Sequence, residues 1–145
     1  MYSMVKRVSV FALALLTLVM GVVVPAKRAT AATLYNNTSS ANLTVNIDSN
    51  GKLFAYLSVV GINGQTKKIE VSLYVEKKIL GLFWSRVDID NDDDTWYDSS
   101  TSYYYSNTFS HNFSSTGTYR VTVTYTVSGT GGPNDVITKT ATATY

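Results

Sequence analysis

The stretch VDIDNDDDTWYD, from Val87 to Asp98, places six aspartates within eleven residues of a chain that has only ten acidic residues. Carboxylates this dense repel one another and a divalent cation relieves the repulsion, so calcium binding is the first chemistry to weigh. An EF-hand loop needs oxygen ligands at alternate positions, a Gly at position 6 and a bidentate Glu at position 12. Counting from Asp88 puts Asp90, Asp92 and Asp94 at the next ligand positions, but position 6 is Asp93 and position 12 is Ser99. Counting from Asp90 puts Thr95 and Thr101 at those two places. The loop is therefore not an EF-hand. A looser calcium site formed by Asp88, Asp90, Asp92 and Asp94 is the metal reading. The reading favoured over it is a solvated loop whose charges keep neighbouring strands from pairing edge to edge. No other cofactor is implied.

The remaining catalytic candidates are sparse. His111 is the only histidine, and alternation across residues 103 to 113 sets it with Tyr103, Tyr105, Asn107, Phe109 and Phe113 on the apolar-leaning face. A lone His there reads as a hydrogen-bonded core or rim residue, because a triad also needs a nucleophile and an orienting carboxylate. No serine sits in a Gly-x-Ser-x-Gly turn. Glu70 and Glu76, six apart on one strand, stand about 20 Å apart, whereas carboxylate pairs that cleave glycosides lie within roughly 5 to 10 Å. The chain has no cysteine, which removes disulfides, thiolate nucleophiles and thiolate-ligated metals together.

Aromatic residues are the stronger signal. Trp96, Tyr97 and Tyr104 flank the second half of the acidic loop, where rings beside acids and amides would stack on a sugar or anchor a protein partner. The plainer expectation puts Trp84, Tyr103, Tyr105, Tyr119 and Tyr125 in the core and leaves Tyr97 and Tyr104 on the surface. The segment KKILGLFWSR, residues 77 to 86, is cationic at both ends and apolar between. It is too short to span a bilayer, and its alternating flanks predict a hairpin whose apolar residues pack.

These side chains must be held by something, and the chain supplies strands. Lys6 and Arg7, an uncharged apolar run from Val8 to Val24, Pro25 and an alanine-rich segment have the order of a secretory signal peptide over residues 1–31, cleaved after Ala31 or Ala32. Membrane contact is then expected only through this segment during export. Its removal takes four of the twelve basic residues, leaving eight against ten acidic ones and a net charge of −2. No basic cluster remains to suggest nucleic acid. An exported domain with no cysteine points to a bacterial, Gram-positive source.

After the signal, residues 32–41 read as a flexible N-terminal segment and 42–145 as one β-sandwich domain. In TYRVTVTYTVS, Tyr119, Val121, Val123, Tyr125 and Val127 alternate without error with polar residues, as a half-buried strand requires. The last segment, VITKTATATY, alternates likewise and is joined to it by GTGGPND, so the two form a hairpin. Earlier strands fall at 42–48, 53–62 and 68–78, separated by turns that each carry an Asn-Gly pair. Two more fall at 82–89 and 102–113. Seven strands at this spacing predict an all-β, immunoglobulin-like antiparallel sandwich.

The residues from Ile69 to Tyr145 also resemble a family of short secreted Firmicutes-type proteins of unknown function. The likeness is carried by VSLYVEKKILGLFWSRV, with Trp84 shortly after Gly81, and by the Gly117 to Val121 lead into the penultimate strand. It implies an immunoglobulin-like domain outside the cell and brings no catalytic residues. The expected function is an extracellular, non-catalytic binding module for a surface glycan or protein. The alternatives are a hydrolase using the loop aspartates and a secreted membrane-active effector.

Overall fold

A computed structural model describes residues 34–145, so the signal-peptide reading of residues 1–31 and its cleavage site lie outside the described residues. Alternating sequence becomes alternating burial throughout. Eight strands run as β1 (Thr38–Ile47), β2 (Lys52–Gly61), β3 (Thr66–Ile79), β4 (Phe83–Arg86), β5 (Trp96–Ser100), β6 (Tyr104–Asn112), β7 (Thr118–Gly129) and β8 (Asp135–Thr144). All pairings are antiparallel. One sheet has the order β1-β2-β6; the other has β4-β3-β7-β8, with β5 sharing the β4 edge of β3.

The described residues are thus all-β and form an immunoglobulin-like sandwich, with eight strands among them rather than seven. β1 starts at Thr38, so Thr38 to Ala41 lie within the first strand. The added strand is β5, which pairs with Ile69 to Leu73 of β3, while β4 pairs with Glu76 to Ile79 farther along the same edge. Of the two Asn-Gly turns, Asp48 to Lys52 closes the β1-β2 hairpin, with Gly51 at φ 80°. The other, Ile62 to Gln65, carries the chain from one sheet to the other.

The inner faces meet in one apolar layer. Leu53, Ala55, Leu57 and Val59 from β2 oppose Ile69, Val71, Leu73 and Val75 from β3 and Tyr119, Val121, Val123, Tyr125 and Val127 from β7, all buried. Burying each of the valine, leucine and isoleucine side chains is worth about 1.5 to 3 kcal/mol relative to exposure. With Ile89, Tyr105, Phe109, Phe113 and Ile137 these residues make up one core cluster.

Tyr119 also donates its hydroxyl to Ser115 O at 2.6 Å, the tyrosine corner of immunoglobulin-like domains at the mouth of the penultimate strand. The Tyr125 hydroxyl crosses to Asn42 O at 2.7 Å, and burial pushes its pKa up.

Two of the expected core aromatics are elsewhere. Trp84 stands on the outer face, because Lys78, its partner across the β3-β4 ladder, belongs to the outward set of β3. Tyr103 precedes β6 and is exposed. Trp96 packs against the core instead, its ring 5.7 Å from Phe109.

An aspartate of the larger sheet grips the smaller sheet at each side of the sandwich. At the start of β8, the Asp135 carboxylate accepts from the Asn36 and Asn37 amides and the Thr38 hydroxyl, each at 2.8 Å. Burial opposes its ionisation, but these bonds outweigh burial and hold the carboxyl below its ordinary range. On the other side, Asp98 of β5 accepts from Asn107 Nδ2 (2.7 Å) and the Tyr105 hydroxyl (2.8 Å) of β6.

Candidate functional site

Two of the five carboxylates in the loop between β4 and β5, those of Asp88 and Asp93, bond within it. Asp88 accepts the Asp90 amide (2.8 Å); Asp93 accepts the Thr95 amide (3.1 Å) and the Tyr97 hydroxyl (2.6 Å). The Tyr97 pKa is raised, first by its bond to Asp93. Asp90 and Asp94 hold positive φ, 66° and 51°, a region Asp enters more readily than most residues because its short side chain bonds locally. Among the described residues, no group of three or more His, Asp or Glu side chains is arranged to hold a metal ion. Asp88, Asp90, Asp92 and Asp93 are exposed, and Asp94 is half-buried.

Asp98 belongs to the strand rather than to the loop. The amide of Asn107 pulls its pKa down; the Tyr105 hydroxyl and the Ser99 amide add to this, against the effect of burial. Burial raises the Tyr105 pKa in turn, with Asp98 adding to it. A carboxyl so held is a poor general acid, since that role calls for a raised pKa. Glu70 pairs with Lys68 at 2.6 Å and Glu76 with Arg120 at 2.7 Å, so neither carboxylate stands free. His111 is half-buried beside Phe113, ring centroids 5.4 Å apart.

The three aromatic candidates do not share a surface. Trp96 points inward. Tyr97 stands on the outer face of the larger sheet, beside a shallow depression of about 430 Å³ lined by Glu70, Val71, Asp98 and Ser99. Tyr104 stands on the outer face of the smaller sheet, directly across from Val60.

That smaller sheet shows what the sequence reading missed. Its inward set on β2 is Leu53, Ala55, Leu57 and Val59, so Phe54, Tyr56, Ser58 and Val60 face out. The rings of Phe54 and Tyr56 lie nearly parallel, 6.4 Å apart with 13° between their planes, and Lys52 Nζ is 5.3 Å from the Phe54 centroid. Tyr56 is 49% exposed and Tyr104 52%.

Register places Thr44 and Thr108 on either side of Tyr56, and Asn46 and Ser110 on either side of Phe54; Asn42 and Ser106 flank Ser58 in the same way. The outward positions of the three strands thus form an aromatic strip bordered by hydroxyls and amides, and none of them is acidic. Strict alternation of LFAYLSVV was the available signal, since the side opposite the aliphatic one carries both rings.

The apolar residues of the 77–86 segment do not pack, contrary to expectation. Leu80 is 86% exposed, Leu82 73% and Phe83 66%. β7 pairs with β3 only as far as Lys77, so the β3-β4 ribbon runs on alone past the end of the sandwich. Trp84 lies at its base, 4.2 Å from the Arg120 guanidinium and 5.8 Å from Lys78 Nζ.

No family model matches the chain, and no curated protein matches it either. Among solved structures, the CARDB domain of the PF1109 protein from Pyrococcus furiosus, in complex with di-metal ions, is similar to it. The two share 18% identity over 74% of this chain and 91% of that domain, with a TM-score of 0.37.

Proposed function

We propose that the protein is an extracellular, non-catalytic binding module that takes a glycan on the outer face of β1-β2-β6. The observation that carries this reading is the strip of Phe54 and Tyr56 with its borders of Thr, Ser and Asn. The apolar face of a sugar ring stacks on an aromatic ring while its hydroxyls exchange hydrogen bonds with the flanking side chains. A face without carboxylates has no acid or base to cleave what it holds. The export signal read at residues 1–31 supports an extracellular place, and the Firmicutes-type resemblance a bacterial one.

The test is retention of the domain, residues 34–145, on insoluble peptidoglycan, chitin and cellulose. Retention by at least one of them is expected. Tyr56→Ala is expected to weaken it roughly tenfold, the upper end of what one aromatic contact contributes. Tyr97→Ala is expected to leave it unchanged. Failure on all three polymers, or loss with Tyr97→Ala but not Tyr56→Ala, overturns the assignment.

A further inference from the structure

The β3-β4 tip spends stability to keep a leucine in solvent. Ile79 to Leu82 form a turn closed by the Leu82 amide on Ile79 O at 3.0 Å, with Leu80 at φ 51° and Gly81 at φ 69°. Two successive positive φ angles define the turn that Asn-Gly fills best, because an unstrained left-handed residue needs either no Cβ or a short polar side chain. Leu80 offers neither, and at 86% exposed it gains no packing in return. A residue that serves neither the turn nor the core is accounted for by something outside the domain.

The surroundings say what that something is. Leu82 and Phe83 are also mostly exposed, and Ile79 is 40% exposed. Lys77 and Lys78 lie at the base of the tip; Lys78 stands over Trp84, while Lys77 turns to the other face, where it donates to Ser115 Oγ at 2.6 Å and lies over the Tyr119 ring. Two acidic residues at this end are engaged within the domain: Glu76 by Arg120, and Asp88, which lines a cavity with Lys77, by the Asp90 amide. A projecting apolar tip offers its side chains to a medium that surrounds it, and cations with an indole at its base match the headgroup level of a bilayer.

We infer that the β3-β4 tip docks on an anionic phospholipid surface, with Ile79, Leu80, Leu82 and Phe83 below the headgroups and Lys78 against the phosphates. Apolar burial and attraction to anionic lipid act together in such contacts. The tip belongs to the larger sheet and the glycan strip to the smaller, and they share no residue, so the two assignments stand or fall separately. It is far too short to cross the bilayer, so the contact is peripheral.

The experiment is co-sedimentation of residues 34–145 with vesicles of phosphatidylcholine alone and of phosphatidylcholine with phosphatidylglycerol. Binding to the anionic vesicles only, weakened by salt and without release of entrapped dye, is the expected result. Leu80→Asn is the decisive variant because it relieves the turn and so keeps the fold. It is expected to cut binding about tenfold while raising the melting temperature.

In a Trp96→Phe background, the emission of Trp84 is expected to shift to the blue on vesicle addition. Absence of binding, equal binding by Leu80→Asn or by Lys78→Ser, or dye release would each overturn the proposal. So would self-association of the wild type, abolished by Leu80→Asn, in place of vesicle binding.

Discussion

Two connections on the same edge of the larger sheet hold non-glycine residues at positive φ, and they handle it in opposite ways. In the acidic loop, Asp90 and Asp94 sit at 66° and 51° in a segment whose side chains bond its own amides. At the β3-β4 tip, Leu80 sits at 51° with no polar side chain to compensate. The acidic loop is therefore intelligible from its own chemistry, and the tip is not. A dense run of charge attracts attention as a site, yet here it is the apolar turn that asks for a partner.

The largest effect that sharpens this contrast lies where the acidic segment ends. Asp98→Ala removes the acceptor of the buried Tyr105 hydroxyl and of Asn107, and so unties one side of the sandwich. It is expected to cost roughly 2 to 3 kcal/mol, the range for losing hydrogen bonds to a charged group. The melting temperature of a domain this size would fall by about 10 °C.

Acid acts on the same contact. Both Asp98 and Asp135 have folded pKa values below the ordinary carboxylate value of about 3.9. Their stabilisation is then complete above that value and is lost as pH falls through the folded pKa values. Melting temperatures measured from pH 6 to pH 2.5 are expected to drop steeply below about pH 4. Asp98→Asn should make that acid limb shallower.

Smaller and of opposite sign is Leu80→Asn, expected to stabilise the domain by about 1 kcal/mol by relieving the left-handed strain. A denaturant melt with an unchanged slope would register it; a loss of stability would mean that Leu80 packs after all. Smallest is the response to calcium. A site at a hundred times its Kd would add roughly 2.7 kcal/mol, whereas aspartates that are not gathered into a metal-holding group are expected to leave the melting temperature within about 1 °C in calcium or chelator. A rise of several degrees would turn the loop into a metal site and reverse the comparison.

Much of the fold was legible because burial on one side writes itself into a strand as period-2 alternation. Val121, Val123 and Tyr125 needed no tertiary information to be placed in the core. β5 was hidden because WYDSS follows a run of aspartates and contains only one residue, Trp96, that packs against the core.

Tyr97 and Tyr104 looked like neighbours in sequence, but the chain changes sheets between them, which no local pattern reveals. The tip was misread for a related reason. Apolar residues in a hairpin imply packing only when the hairpin ends level with its neighbours, and here β3 outruns β7.

The grip of Asp135 on Asn36, Asn37 and Thr38 has a mechanical meaning. Asn36 lies at the pole where β8 begins, and Tyr145 lies at the other, where its amide and carbonyl bond Gly117. Tension applied between Asn36 and Tyr145 would run along the strands, loading the β1-β2 and β7-β8 ladders in shear, with many rungs resisting at once. The first bonds to feel that pull are those on the Asp135 carboxylate, which makes this one side chain the rivet that must shear before the first strand can slide.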